Sequence, residues 1–126
     1  MERLIELKSI SREAAAFLQK AGERGLNIFI SGGTGSGKTT ILNAMSGYIP
    51  QEDRVITIED SAELQIRHVT NLVSLETRVE NRDGSQEISM RDLIRASLRM
   101  RPDRIIVGEV RGGEALEMLQ AIICTI

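Results

Sequence analysis

The sequence predicts an α/β fold in which a mainly parallel β-sheet is flanked by helices. Apolar segments of strand length alternate along the chain with segments of helical periodicity, an order typical of a parallel sheet. A glycine-rich loop joins the first apolar segment to a helix, and two later segments end in the carboxylates Glu59 and Glu109. Right-handed crossovers bring the carboxyl ends of parallel strands to one edge of the sheet. The loop and the two carboxylates are therefore expected to meet at that edge.

The first half of the chain supplies two predicted helices and one predicted strand. Ser11 is a candidate N-cap, with Glu13 in the first turn of a helix that a pair of glycines ends. The apolar residues 26–31 are expected to form a central strand that is buried on both faces. A second helix is predicted over residues 38–46, directly after the glycine-rich loop.

The second half of the chain contains the other predicted elements. Strands are predicted over residues 54–59, 68–76 and 104–109, and helices over residues 90–100 and 113–124. Ser89 and Asp92 form a predicted capping box at the start of the first of these helices. Residues 78–87 are expected to be a polar loop, since they include the turn signal Asp83-Gly84.

Composition and charge restrict the class of protein. A chain of 126 residues is long enough for one domain with a hydrophobic core. Its 16 basic and 18 acidic side chains nearly balance, so no overall field attracts nucleic acid or anionic lipid. The single cysteine, Cys124, excludes an internal disulfide and fits a reducing compartment. Neither a membrane-spanning run nor a signal-peptide pattern occurs, so we expect a cytoplasmic protein.

The glycine-rich loop has the spacing G-x-x-x-x-G-K-T of a phosphate-binding loop. Its glycines let backbone N–H groups converge on phosphate oxygens, and the following helix adds unpaired amides and the positive end of its dipole. Lys38 would reach the β- and γ-phosphates of a nucleoside triphosphate, and the Thr39 hydroxyl would complete a Mg²⁺ shell. A simple turn with an incidental lysine is the alternative, but so many glycines would make that turn costly. The predicted cofactor-binding residues are Gly32, Gly33, Thr34, Gly35, Ser36, Gly37, Lys38, Thr39 and Thr40.

Carboxylates at the strand ends are candidates for the remaining chemistry. Hydrolysis needs one acid to hold Mg²⁺ through water and another to orient the attacking water. Glu109 follows an apolar strand as in a Walker B element, but Gly108 replaces the usual aspartate. Glu109 therefore acts alone or shares the Mg²⁺ with Glu59 or Asp60; Glu63 is evenly balanced between function and a loop position. The predicted catalytic acids are Glu59 and Glu109, and the predicted metal ligands are Thr39, Glu59 and Asp60.

Arginines are abundant between residues 76 and 111, and most are expected on a solvated helix face. Phosphoryl transfer also uses an arginine, in the same chain or from a neighbouring subunit, to neutralise charge in the transition state. The candidates for this role are Arg78, Arg99, Arg101 and Arg111. His68 lacks metal-ligand spacing and Cys124 lacks a histidine partner, so both are expected to be structural.

Three segments together resemble the secretion-superfamily ATPases, which power type II and type IV secretion and pilus assembly. They are residues 28–40 with the phosphate-binding loop, residues 56–64 with the two strand-end acids, and residues 98–112 with Glu109. The resemblance extends over about residues 4–121 and is closest to the branch that serves tight-adherence (Flp-type) pili and conjugation-like systems. A phosphate-binding loop alone is unspecific, but the three segments in this order are highly specific.

The resemblance implies a RecA-like core in a hexameric motor that uses ATP and Mg²⁺. Such a motor works beside secretion or pilus platform proteins, peripherally at the cytoplasmic face of the inner membrane. In that family Glu59 and Asp60 match the acids of the Asp box, and Glu109 matches a Walker B glutamate preceded by glycine. Arg78 and Arg99 match regions whose arginines approach phosphate at a subunit interface, although this match is looser.

The resemblance also predicts that residues 1–126 are a partial motor domain. The family's N-terminal domain and its His-box segment have no counterpart in the sequence. We therefore expect an incomplete sheet with an exposed edge and exposed apolar surface.

Three other functions compete with a secretion ATPase. A nucleotide-binding module without catalysis is favoured by the missing His box. A DNA-transfer ATPase fits the conjugation relatives, although the balanced charge gives no footprint for DNA. A small-molecule kinase is disfavoured, because no lid or acceptor-binding motif is recognisable.

Overall fold

Three parallel strands form the central sheet in the computed structural model, which describes residues 1–79, 86–110 and 112–124, with side chains up to residue 119. The strands are β1 (Arg54–Glu59), β2 (Asn71–Glu76) and β3 (Arg104–Val107). Their order is β2-β1-β3, and Ile56 of β1 lies opposite Val73 on one side and Ile105 on the other. The prediction of an α/β fold with a parallel sheet is confirmed.

Helices precede and follow these strands. They are α1 (Glu2–Glu6), α2 (Arg12–Glu23), α3 (Lys38–Ser46), α4 (Met90–Ser97) and α5 (Glu114–Cys124), and a 3₁₀ turn over Leu98–Met100 extends α4. The Ser11 side chain accepts a hydrogen bond from the Ala14 amide, and Ser89 and Asp92 form the reciprocal capping box. Both predicted caps are confirmed. The helix α1 was not predicted from the sequence. Among the described helices, none is long and apolar enough to cross a lipid bilayer.

The core consists of two apolar clusters on opposite faces of the sheet. Side chains alternate across a strand, so Val55 and Ile56 of β1 point into different clusters. The first cluster lies under the segment that connects β1 to β2, and the second lies under α4. The buried members are Ile49, Val55, Ile66 and Val69 in the first cluster and Ile56, Ile58, Met90 and Ile94 in the second.

The prediction of a buried central strand over residues 26–31 is wrong. This segment forms no strand and pairs with no described strand, and Leu26, Ile28 and Phe29 are 57%, 37% and 63% exposed. A cavity of about 280 Å³, lined by Ile28, Ile30, Ile105 and Val107 among others, separates it from β3. A strand forms only where a neighbouring backbone satisfies its N–H and C=O groups. The apolar pattern indicated the tendency to be buried, but it did not identify a partner.

Arg104 connects α2 to the amino ends of β1 and β3. Its Nε donates to Asp53 Oδ2 (2.5 Å), and its two terminal nitrogens donate to the carbonyls of Gly22 and Glu23. The last carbonyls of a helix have no partners inside the helix, so a guanidinium that reaches them caps the helix. These contacts hold the end of α2 against the sheet, immediately before the chain runs towards the phosphate-binding loop.

Candidate functional site

The loop before α3 has the backbone geometry of an anion cradle. Gly35 and Gly37 have φ values of 74° and 89°, a region that side-chain-bearing residues seldom adopt. Gly37 occupies the N-cap position of α3 and supplies no side chain to the first-turn amides. These amides and the helix dipole therefore face the loop, where they suit an anion such as phosphate. A Cβ at Gly32 would lie 2.5 Å from Ser36 Oγ, so a larger residue there would displace the Ser36 hydroxyl.

The Lys38 ammonium group lies inside the curve of this loop. Nζ donates to the carbonyl oxygens of Gly32 (2.9 Å) and Gly33 (2.7 Å). The side chain therefore turns back from the first turn of α3 across the loop, rather than outwards from the helix. The positive charge thus lies within the phosphate-binding loop, and the predicted contact of Lys38 with phosphate stays a prediction.

Thr39 contacts a carboxylate that the sequence left undecided. Its Oγ1 donates to Glu63 Oε2 at 3.3 Å, across 24 positions of the chain. A hydroxyl and a carboxylate are hard oxygen ligands of the kind that Mg²⁺ accepts together with phosphate and water. The structure thus brings Glu63, and not the predicted Glu59 or Asp60, next to the threonine of the phosphate-binding loop. The signal in the sequence was only its position, four residues after the end of a strand.

Glu59 and Asp60 are engaged with the protein itself. Glu59 is 6% exposed, and its Oε1 accepts hydrogen bonds from the amides of Glu63 and Leu64, both at 3.0 Å. Asp60 Oδ1 accepts from the Thr77 hydroxyl at 3.0 Å, just beyond β2. Both acids lie at the carboxyl edge of the sheet, as expected, and each stabilises a segment that leaves this edge.

Glu109 follows β3 at the same edge. The Gly108 amide donates to the Ile58 carbonyl at 2.9 Å, so the pairing with β1 continues for one residue beyond β3. Glu109 is exposed and stands one residue further on, beside the end of β1 that carries Glu59. The prediction that the strand-end acids gather at one edge is therefore confirmed for Glu59, Asp60 and Glu109.

The arginine candidates separate into two groups. Arg78 lies close to the carboxyl edge, where its Nε donates to the Gln86 carbonyl (3.1 Å) and its backbone pairs with Ile88. Arg99 and Arg101 are exposed at the opposite edge, because the neighbouring Met100 carbonyl accepts from Arg54 Nε at the start of β1 (2.8 Å). Arg111 lies outside the described residues. Within one chain, only Arg78 of the described candidates is near the carboxylates.

His68 and Cys124 are the two residues expected to be structural, and the structure describes the side chain of His68 alone. His68 Nε2 lies 3.0 Å from the Ile49 carbonyl, which is a contact within the fold. The side chain of Cys124 is outside the described part of the chain.

The site fits Mg²⁺ only together with a ligand that supplies further oxygens. The described histidine, cysteine and acidic side chains form no group of three that could hold a metal ion by themselves. A phosphate-binding loop needs no such group, since phosphate oxygens and water complete the shell around its threonine. The donor set of Thr39 and Glu63 agrees with this arrangement.

Comparison with known proteins gives a consistent family. A family model described as type II/IV secretion system protein matches residues 1–124. The type IV secretion system protein PtlH of Bordetella pertussis is 47% identical over 105 residues, which are 83% of this chain and 31% of that protein. The conjugal transfer protein TrbB of Rhizobium radiobacter is 41% identical over 124 residues, which cover 96% of this chain and 36% of that protein.

A solved structure shows the same fold. The VirB11 ATPase from the Brucella suis type IV secretion system, crystallised in complex with sulphate, superimposes with a TM-score of 0.76 at 36% identity. The match covers 95% of this chain and 34% of the solved chain. This chain thus spans about a third of the length of each of these relatives.

Proposed function

Because the chain belongs to the type II/IV secretion system protein family, we propose that it is part of an ATPase that binds ATP with Mg²⁺ and hydrolyses it. The observation that carries this proposal is the arrangement at the start of α3. Lys38 lies inside a loop with two positive-φ glycines, and the Thr39 hydroxyl faces the Glu63 carboxylate. The relative with a solved structure is itself named as an ATPase.

The binding step is assigned to the loop and the first turn of α3. The backbone amides of residues 32–39 contact the phosphate oxygens, and Lys38 exchanges its two carbonyl contacts for the β- and γ-phosphates. Thr39 and Glu63 hold the Mg²⁺, directly or through water. A Mg²⁺ ion held there would supply positive charge beside the phosphate oxygens.

The hydrolytic step is assigned to the carboxyl edge of the sheet. Glu109 accepts a hydrogen bond from the attacking water and orients its oxygen towards the γ-phosphorus. The new bond joins the water oxygen to phosphorus, the bond between phosphorus and the β–γ bridging oxygen breaks, and the water proton passes to Glu109 and then to solvent. Asp60 supports the water shell, and Arg78, which lies close to the carboxyl edge, is assigned to stabilise the charge that develops.

The complete protein is proposed to work as an oligomeric motor. Membership of the family and the named relatives support a role in secretion or conjugal transfer. The proposal extends to pilus assembly and to a hexamer bound peripherally at the cytoplasmic face of the inner membrane beside platform proteins, as the resemblance in the sequence implies. Arg99 and Arg101 lie at the edge away from the loop, so they serve a site only if they come from a neighbouring subunit.

Phosphate release from ATP by the purified chain tests the proposal. We expect Mg²⁺-dependent turnover that rises more than linearly with protein concentration, and Glu109→Gln is expected to abolish turnover while ATP still binds. Nucleotide binding without turnover at any protein concentration would contradict an ATPase and favour a nucleotide-binding module. Transfer of phosphate to an acceptor other than water would replace it by a kinase. Unchanged turnover in Glu109→Gln would remove Glu109 from the reaction.

A further inference from the structure

We propose that Glu59 is a positioning residue, which holds the loop that carries Glu63, and that Gly108 is the residue that makes room for it. This inference rests on the proposed function, because it assigns a task within the same site. It differs from the role of catalytic acid and metal ligand that the sequence predicts for Glu59.

The Glu59 carboxylate is aimed at backbone and is sheltered from solvent. It is 6% exposed, and one of its oxygens accepts from two consecutive amides, those of Glu63 and Leu64, at 3.0 Å each. Buried carboxylates are stable when such charge-assisted hydrogen bonds replace their hydration. Both lone pairs of Oε1 are thus used by the two amides, which commits this oxygen to the loop.

The two amides are those of Glu63, whose side chain contacts Thr39 beside the phosphate-binding loop, and of Leu64. Glu63 presents its amide to Glu59 and its carboxylate to Thr39, at 3.0 Å and 3.3 Å respectively. Glu59, at the end of β1, thus anchors the loop backbone at Glu63 itself. This anchor keeps the Glu63 carboxylate facing Thr39. Without this anchor an exposed loop samples many conformations, and the carboxylate pays conformational entropy each time it orders.

Gly108 provides the space that the Glu59 side chain occupies. A Cβ built on Gly108 would lie 3.0 Å from Glu59 Cγ and 3.6 Å from Glu59 Cβ. Contacts of 3.0 Å between carbon atoms require one of the side chains to move. The Glu59 side chain, at the end of β1, occupies the space where a side chain of residue 108 would lie. This gives a physical reason for a glycine immediately before Glu109.

The distinction between anchor and ligand can be tested because glutamine retains the acceptor. In Glu59→Gln the amide oxygen still accepts from both N–H groups, but the carboxylate charge and its basicity are gone. In Glu59→Ala the acceptor itself is lost. In Gly108→Ala the acceptor is present but displaced. Gly113→Ala is the matched control, since a Cβ there meets nothing within 4 Å.

Amide hydrogen exchange measured by NMR is the first readout, because it reports the anchor whether or not the chain hydrolyses ATP. We expect the Glu63 and Leu64 amides to be protected in the original chain, in Glu59→Gln and in Gly113→Ala. Exchange should be faster by about tenfold or more in Glu59→Ala, as the loss of hydrogen bonds to a charged group implies. In Gly108→Ala exchange should be faster by a smaller factor, because the acceptor is shifted and not removed. Unchanged exchange in both Glu59→Ala and Gly108→Ala would overturn the proposal.

ATP turnover is the second readout and separates the two roles of Glu59. We expect Glu59→Gln to keep turnover within about threefold, and Glu59→Ala and Gly108→Ala to lose it in parallel with protection. If Glu59→Gln keeps amide protection but loses turnover, Glu59 is a ligand or a base and the proposal fails. If the original chain hydrolyses no ATP, the proposed function fails, while the exchange data still decide whether Glu59 anchors the loop.

Discussion

Thr39 and Glu63 are joined by a hydrogen bond of 3.3 Å that links the first turn of α3 to the loop after β1. The bond brings together the two segments that a bound Mg²⁺ would have to bridge, although 24 positions separate them in the sequence. The Thr39 hydroxyl and the Glu63 carboxylate are both in place for a metal ion that arrives with the nucleotide.

Removal of the Thr39 hydroxyl is expected to uncouple nucleotide binding from Mg²⁺. Thr39→Val keeps the shape of the side chain but cannot coordinate a metal. We expect Mg²⁺ to lower the Kd for ATP by some factor in the original chain. That factor should be smaller by about tenfold or more in Thr39→Val, which corresponds to about 1.4 kcal/mol. The measurement is a fluorescent ATP analogue titrated with and without Mg²⁺. Equal affinities of the two proteins in EDTA are the internal control, and an undiminished Mg²⁺ effect in Thr39→Val would contradict the assignment.

Lys38→Ala should weaken nucleotide binding itself. The ammonium group already lies inside the curve of the loop, 2.9 Å and 2.7 Å from two carbonyl oxygens that a phosphate would replace as its partners. Hydrogen bonds to charged groups contribute about 1.5–3 kcal/mol, so the Kd should rise by about 10- to 100-fold. Lys20→Ala, which removes an exposed lysine of α2, is the matched control for the change in charge. Similar Kd values for the two variants would show that Lys38 does not contact the nucleotide.

Arg104→Ala is expected to destabilise the fold. The guanidinium lies between Asp53, which it meets at 2.5 Å, and the last carbonyls of α2, and its side chain is only 16% exposed. Its loss leaves Asp53 without its ion pair and removes the guanidinium donors from the Gly22 and Glu23 carbonyls, which should lower the free energy of unfolding by about 2–3 kcal/mol. Arg3→Ala is the control, because its ion pair with Glu6 is exposed and should contribute less than about 1 kcal/mol. Urea unfolding followed by circular dichroism compares them; equal midpoints would refute the role of Arg104.

The sequence predicted those elements whose signals are local. The helix over residues 38–46 and the strand over residues 54–59 coincide with α3 and β1, and the capping box of Ser89 and Asp92 is present. A cap is a contact between near neighbours in the chain, so its residues can be read directly. The resemblance to secretion ATPases also identified the family correctly.

The sequence could not predict the contacts that depend on the path of a loop. The proximity of Glu63 to Thr39 follows from how residues 60–70 return across the sheet, and no local pattern encodes that path. Residues 26–31 illustrate the same limit, because their apolar character is local whereas a pairing strand is not. The roles predicted for Glu109, Arg78 and Arg99 stay predictions until activity is measured.

Glu117 is expected to make the stability of the chain sensitive to acid. Its carboxylate is 3% exposed on α5 and accepts from Arg91 Nε (2.5 Å) and Arg95 (3.0 Å) of α4. Burial alone would raise the pKa of Glu117, but the hydrogen bond from Arg91, a backbone hydrogen bond and the charges of both arginines together hold the pKa below its ordinary value of 4.5. The folded state therefore favours the ionised carboxylate.

A carboxylate whose pKa is lower in the folded than in the unfolded chain stabilises the fold above pH 4.5. That stabilisation is lost as the pH falls through the folded pKa, since both states then bind the proton. Glu117→Gln should accordingly unfold at a lower temperature than the original chain at pH 7, and the difference between their Tm values should shrink as the pH falls below 4.5. Glu6→Gln, an exposed carboxylate, is the control and should shift the Tm little at any pH. A Tm difference between Glu117→Gln and the original chain that does not shrink at any pH below 4.5 would mean that the charge of Glu117 is not the source of the difference.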